Sequence, residues 1–371
     1  EVCNACNFDD CGKKFAKLVA NCIGFDENDM SKYESSQRSF MLRLEYYVMK
    51  TYLKRTDVAF NEDDFKKLFV LKTRKKGKTP MGLRFLFWFC RGSGDMDTGL
   101  GNGILNYITS KYTLIMNECP LKENCRVDNS CCKQDFILKG DDSVLGRHTT
   151  NPLVDYYKDF GFDAKIIHHD NWWDVEFCSG KYIRNNDNFF YVQKLGKLMD
   201  SLTTVINPMF FNDLQGYYYS LGLMYKKVYK NVPVYEDIAN YLISCSGVNK
   251  RKPISILKDV SYCVMEANKA GPYEYNSDYA QAELDISMTM GYSIAELESV
   301  KSFFKSNTLS FPEAYCCASK QHRRVPNIQD DDLTLLDGVK IPTLVDVVLE
   351  KLMTYYDSPL NEGEFVMPKA S

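Results

Sequence analysis

No hydrophobic run in this chain is long enough to cross a bilayer. The longest strongly apolar stretch, roughly Phe85 to Cys90, falls far short of the ~20 residues a spanning helix needs. Nothing at the start reads as a signal peptide, and position 1 is Glu rather than Met, so a segment of a longer protein is expected. Internal repeats and low-complexity tracts are missing as well, which excludes solenoid and tail-like architectures. An excess of one charge is also lacking. With 46 Lys and Arg against 49 Asp and Glu the net charge is −3, so the chain as a whole is no electrostatic magnet for nucleic acid. Its cations are local, in "KTRKKGK" at 72–78 and "KQHRR" at 320–324. Such runs serve as solvated loops, but a protein that grips phosphates along a single channel also has this distribution.

The fourteen cysteines lack the repeated CxxC pairs of a zinc module. Cys3, Cys6, Cys11 and Cys22 form one loose group and Cys119, Cys125, Cys131 and Cys132 another. The expectation is reduced structural thiols in a cytosolic compartment. What is present is ordinary for a globular chain: 371 residues, 45% hydrophobic and 26% charged, enough for a large core and two or more domains.

Periodicity organises the first half as mixed α and β. Phe40, Leu44, Tyr47 and Val48 fall at helical spacing within Ser35 to Leu53. "MGLRFLFWFC" predicts a buried strand, and "GSGDMDTGLGNGILNYITSKYTLIM" a loop feeding a long helix. A helix is expected near Leu153 to Phe160, stopped by Gly161, then a strand at Lys165 to Ile167. Beyond about Phe189 helical signals dominate. One helix is expected from Pro253 to Gly271, another ends at Gly291, and a Ser293/Glu296 capping box opens the next.

The chemistry centres on "FILKGDDSVLG", residues 136–146, where a glycine and two aspartates interrupt an apolar run. Gly-Asp is ordinary turn chemistry, so two strands joined by a tight hairpin account for the pattern. The other reading is a turn that holds out Asp141 and Asp142 to bind magnesium, which prefers oxygen ligands. Upstream, "SGDMDTGLGN" sets Thr98 and Asn102 four apart on one helix face. Three glycines in that stretch, Gly99, Gly101 and Gly103, cost on the order of 2–3 kcal/mol against alanine, which something must offset. Further upstream, "ENDMSKYESSQ" carries Asp29 and Glu34 separated by four residues, with Asp26 close by. Asp29 or Ser31 could also simply cap a helix, with Glu34 completing a capping box from Ser31.

The order acid-x4-acid, then SGxxxTxxxN, then an apolar hairpin bearing Gly-Asp-Asp resembles the palm of the RNA-dependent RNA polymerases of positive-strand RNA viruses. "SGDMDTGLGN" and "EFCSGKYI" look most like tombusvirus-like enzymes, and "DMSKYESSQ" also like alphavirus-like ones. The resemblance covers about residues 25–185. It implies an α+β fold: an antiparallel palm sheet with packed helices at 1–189, with part of the fingers inserted at about 56–80, and a mainly helical thumb at 190–371. It implies template-directed RNA synthesis by two-metal nucleotidyl transfer, with Asp29, Asp141 and Asp142 as ligands of two Mg²⁺ (Mn²⁺ as a substitute). Glu34, Ser93, Gly94, Thr98 and Asn102 correspond to substrate-binding positions, Glu34 and Asn102 reading the ribose 2′-hydroxyl. Glu34 is a departure from the usual Asp. Lys165 matches the motif D acid, with His168 and His169 as alternatives, and Cys178, Ser179 and Gly180 match the primer grip. Expected partners are template and nascent RNA, NTPs and other viral replication proteins, at a replication complex in the host cytoplasm. Only 28 residues precede Asp29, too few for the basic fingers segment, which is expected upstream in the same polyprotein or enzyme; without it residues 1–371 are expected to be inactive. The rival readings are a non-catalytic palm-like domain that binds RNA or scaffolds replication, and a reverse transcriptase.

Overall fold

The computed structural model describes residues 2–3, 6–79, 81–92, 95–121, 133–198, 214–245 and 278–305. Its centre is a four-stranded antiparallel sheet in the order β4-β5-β1-β6. These strands are β1 (Gly24–Ser31), β4 (Phe136–Lys139), β5 (Asp142–Arg147) and β6 (Asp163–His169). Alternation puts Phe136, Leu138, Leu145 and Met30 on one face, in a cluster with Leu105 and Leu114. Those two leucines belong to α5 (Thr98–Glu118). Phe25, Ile137 and Val144 take the opposite face, in a cluster with Phe15 and Leu18 of α1 (Phe8–Asn21). Helices thus cover both faces. The first of them starts where Asn7 accepts the Asp10 amide at 2.7 Å, with Asp9 and Asp10 in its first turn. The α+β class expected from the sequence is what the structure has.

Between β1 and α5 lie the single turn α2 (Tyr33–Ser36), α3 (Ser39–Lys54), α4 (Glu62–Thr73) and the ribbon β2 (Arg74–Lys78) and β3 (Arg84–Trp88). Three expectations need correction here. The strand in "MGLRFLFWFC" forms, but Phe85, Leu86 and Phe87 are exposed, because β3 pairs with β2 alone and no second layer covers it among the described residues. Helix α3 buries Met41, Leu42 and Glu45 while Phe40 and Tyr47 face solvent. The rotation has a cause: Glu45 must turn inward to meet Arg91 and Lys72. No capping box opens α2, since Ser31 ends β1 and Lys32, at φ 50°, makes the turn without a side-chain cap.

The helix expected at Leu153 to Phe160 is only a 3-10 turn, Tyr157–Phe160, closed by Gly161 at φ 81°. Side chains compete for the backbone ahead of it. The amides of Leu153, Val154 and Tyr157 donate to Asp26, Asn117 and Asp155 in turn.

After the hairpin β7 (Gly180–Asn185) and β8 (Asn188–Gln193) the described residues are mainly helical, with α6 (Leu214–Val228), α7 (Tyr235–Cys245), α8 (Tyr279–Met290) and α9 (Ile294–Lys305). Buried Asp285 of α8 takes Arg184 of β7 in a two-pronged ion pair, 2.6 Å at its closest, fixing helix to hairpin. Gly291 ends α8 at φ 75°, and the Ser293/Glu296 box forms in both directions (2.8 and 3.2 Å). The helix expected at Pro253 to Gly271 lies outside the described residues. No helix among the described residues is long and apolar enough to cross a membrane.

Candidate active site

β4 and β5 are joined by the two residues Gly140 and Asp141, Lys139 facing Asp142 across the ladder. Gly140 takes φ 64° and Asp141 does not go positive, as a type II′ hairpin turn asks of its first central residue. The turn is held from below. The Nδ2 of Asn106, buried in α5, donates to the carbonyls of Gly140 (3.1 Å), Asp141 (2.9 Å) and Asp142 (3.2 Å). Asn106 is itself aimed by Ser110, whose hydroxyl donates to its Oδ1 at 2.9 Å.

β1 brings Asp29 to the same rim. Asn28 pairs with Ser143, so Asp29 and Asp142 are the next residues along that ladder. Lys165 of β6 faces Asp29 from the other side, and it is exposed. Asp26, three residues earlier, goes elsewhere. It is fully buried, 3.0 Å from Arg147 and 2.9 Å from Nδ1 of His168. His169 pairs with Glu27 at 2.9 Å. Both histidines thus lie against carboxylates along the sheet.

Electrostatics tie the remaining acids together. Desolvation raises Asp141, and the charges of Glu34 and Asp29 raise it further. Asp142 is pushed up to about 6, first by the protein packed around it and then by Asp141, Asp29 and Glu176, against a hydrogen bond with the Cys178 thiol. Asp29, Glu34, Asp141 and Asp142, from three chain segments, therefore share one neighbourhood, and none of the four is ion-paired among the described residues, whereas Glu176 pairs with Lys194. All-oxygen donors under mutual repulsion fit a hard divalent ion, whose charge would relieve them.

Asn102 is buried on α5. Its Oδ1 accepts from Gln37 Nε2 at 3.0 Å and its carbonyl from Tyr33 at 3.2 Å. Gln37 in turn accepts from Arg91 Nε at 3.2 Å, and Arg91 pairs with buried Glu45. One of the three glycines in this helix finds its reason here. A Cβ on Gly101 would lie 2.2 Å from the Arg91 guanidinium, so only glycine lets the arginine lie across α5. Thr98 is turned into the preceding loop, donating to the carbonyls of Gly92 (2.7 Å) and Asp95 (2.9 Å). Ser93 and Gly94 lie outside the described residues.

The loop at 177–180 closes the rim. Phe177 and Gly180 exchange backbone bonds (3.1 and 2.9 Å), with Cys178 and Ser179 both at positive φ (51° and 58°). Tyr191 donates to the Cys178 carbonyl at 2.8 Å, and Gly180 is required because a Cβ would meet the Tyr191 ring at 2.2 Å. The thiol reaches Asp142, so this loop adjoins the acidic turn.

Sequence reading missed Asn106, Gln37 and the Glu45–Arg91 pair. One signal was there: Asn102, Asn106 and Ser110 form a polar stripe at spacing four along the helix. Another cluster, Cys22, Asp135 and His148, gathers at the far end of the sheet.

Fold and site thus define a mixed α+β protein whose antiparallel sheet ends in an acid-lined hairpin. The family model for RNA dependent RNA polymerase matches residues 6–269, most of the chain, and the chain belongs to that family. It is also 24% identical over 237 residues to the RNA-directed RNA polymerase of groundnut rosette virus (strain MC1). That match covers 62% of this chain but only 26% of the relative, so the chain spans about a quarter of that protein's length.

Proposed function

We propose that this chain carries the palm of a viral RNA-dependent RNA polymerase and performs template-directed RNA synthesis from NTPs in genome replication. The observation that carries the reading is the convergence of Asp29, Glu34, Asp141 and Asp142 at one end of the sheet. The sheet with α1 and α5 would be the palm, residues 56–80 part of the fingers, and residues 190–371 the thumb. Asp29, Asp141 and Asp142 would hold two divalent ions, Mg²⁺ or Mn²⁺, which would supply charge stabilisation to an in-line displacement. Exposed Lys165, across from Asp29, would supply a proton to the departing pyrophosphate. Glu34 and the Asn102 amide would read the ribose 2′-hydroxyl, so that a deoxynucleotide leaves them unpaired. Ser93, Gly94 and Thr98 would shape the nucleotide pocket, and Cys178, Ser179 and Gly180 would support the 3′ end of nascent RNA. The partners are template and nascent RNA, a fingers segment of the same polypeptide and other viral replication proteins, at a host cytoplasmic replication complex.

The test is Asp141→Asn in the full-length polymerase, measured as nucleotide incorporation beside RNA affinity. Incorporation should fall by roughly 10²–10⁴-fold, several kcal/mol of transition-state stabilisation, while RNA binding stays near wild type. Retained polymerisation would overturn the assignment.

A further inference from the structure

Opposite the acidic turn, the ends of four elements meet: the C-terminal ends of α1 and α5, the approach to β4 and the exit from β5. They bring together Cys22, Asp135 and His148, whose ligand atoms all lie within 4.8 Å of one another. The six residues of β5 separate this cluster from Asp141 by about 20 Å at ~3.3 Å per residue.

The imidazole is oriented for a cation. Nδ1 of His148 lies 3.1 Å from the carbonyl oxygen of Asn21, which can only accept, so Nδ1 carries the proton. Nε2 is then left facing Asp135 Oδ2 at 3.1 Å and Cys22 Sγ at 4.0 Å. Two lone pairs do not face each other at 3.1 Å without a positive charge. A proton or a metal ion must lie between them. Ring N–H to carbonyl on one side and metal on the other is the usual setting of a histidine ligand.

Three further observations favour the metal. A tetrahedral zinc ion with N, O and S ligands spaces its donors about 3.3–3.7 Å apart, and the two separations here bracket that range. Glu118 Oε1 accepts from the His148 amide at 2.9 Å, yet its Oε2 is buried with no hydrogen-bond partner among the described residues. Finally, β5 keeps a glycine in its interior for the sulfur: a Cβ on Gly146 would lie 2.2 Å from Cys22 Sγ.

We propose that Cys22, Asp135 and His148 form a zinc site, with Glu118 or a water in the fourth position, that staples the closed end of the sheet. A thiolate and an imidazole select a borderline ion over magnesium. The site is separate from nucleotidyl transfer and is tested without it. The purified 371-residue chain should retain one equivalent of Zn²⁺ after dialysis, read by elemental analysis and by competition with a chromophoric chelator. With Co²⁺ in its place the wild-type chain should show thiolate-to-cobalt charge-transfer absorption. Cys22→Ser should abolish that band, and His148→Gln should weaken zinc binding by at least tenfold. Absence of bound metal in the folded wild-type chain, with His148 found as an imidazolium by NMR, would overturn the proposal. So would zinc binding that survives both substitutions unchanged.

Discussion

The two ends of the β1–β5 pair handle charge in opposite ways. At the closed end Asp26 is fully buried, and Arg147 and His168 lie against it. Arg147 is spent further on the carbonyls of His169 (2.9 Å) and Thr150 (3.2 Å). At the open end, three residues along β1, Asp29 meets Asp142 and Asp141, and their charges add to one another's cost. A buried carboxylate survives only with its charge answered inside the protein. An exposed cluster left unanswered stores repulsion that a bound cation or a proton relieves. The same strand therefore carries a structural acid and a candidate catalytic acid, and burial with partnering tells them apart.

The largest effect breaks this comparison at its closed end. Arg147→Met strands Asp26 without its cation and should cost about 3–5 kcal/mol of unfolding free energy in denaturant titration. The double variant Asp26→Asn with Arg147→Met should recover much of that loss. At the open end Asp29→Asn should change stability by no more than about 0.5 kcal/mol. Equal losses at the two ends would mean that Asp29 is as structural as Asp26.

Much of this was legible in the sequence. The Gly-Asp-Asp hairpin, the long helix carrying Thr98 and Asn102, and the Ser293/Glu296 box all rest on local rules of turn, spacing and cap, which neighbours in sequence decide. The choice between Asp26 and Asp29 was not legible. It depends on Arg147, more than a hundred positions away, arriving beneath one and not the other. Helix α3 was misjudged for the same reason, since Glu45 turns inward only because Arg91 waits there. Exposed Phe85 and Phe87 break the rule that apolar strands are buried, because burial is a property of the layer above a strand and not of the strand. The roles of Glu34, Asn102, Lys165 and the 178–180 loop remain readings from motif position, now with a shared location.

A smaller effect probes how the open end is held. Asn106 touches no carboxylate, but its amide satisfies three carbonyls of the acidic turn, which makes it a positioning residue. Asn106→Ala should cost about 1–3 kcal/mol of stability through unpaired buried carbonyls. It should also raise the Mg²⁺ concentration needed for half-maximal incorporation by the full-length enzyme. Asn106→Asp, of the same shape, sets an acceptor against the three carbonyls and should be worse than alanine on both measures. If the two variants differ only in stability, with the same metal requirement as wild type, the amide supports the fold and not the turn.

The smallest expected effect is a pH dependence, and it carries the sign of the comparison. Asp142 has its affinity for protons raised in the folded state, from an ordinary 3.8 to about 6, chiefly by desolvation and then by Asp141 and Asp29. Between about pH 4 and 6 the folded chain therefore binds more protons at this site than the unfolded chain does. Stability falls as pH rises through that window. Above it the repulsion is fully felt, and below it the site is neutral in both states. Because Asp142 is exposed, solvent screening reduces the penalty to on the order of 1 kcal/mol. That corresponds to about 1–3 °C in melting temperature for a chain of this size. Other carboxylates titrate in the same range, so the quantity to measure is the difference between wild type and Asp142→Asn. The variant should melt higher than wild type at pH 7, and the gap should close as pH falls to about 4. Millimolar Mg²⁺ should raise the wild-type melting temperature at pH 7 more than at pH 4, because protons and the cation compete for the same carboxylates. A gap that widens on acidification would mean that Asp142 is held by favourable partners, as Asp26 is, and the contrast between the two ends of the sheet would fail.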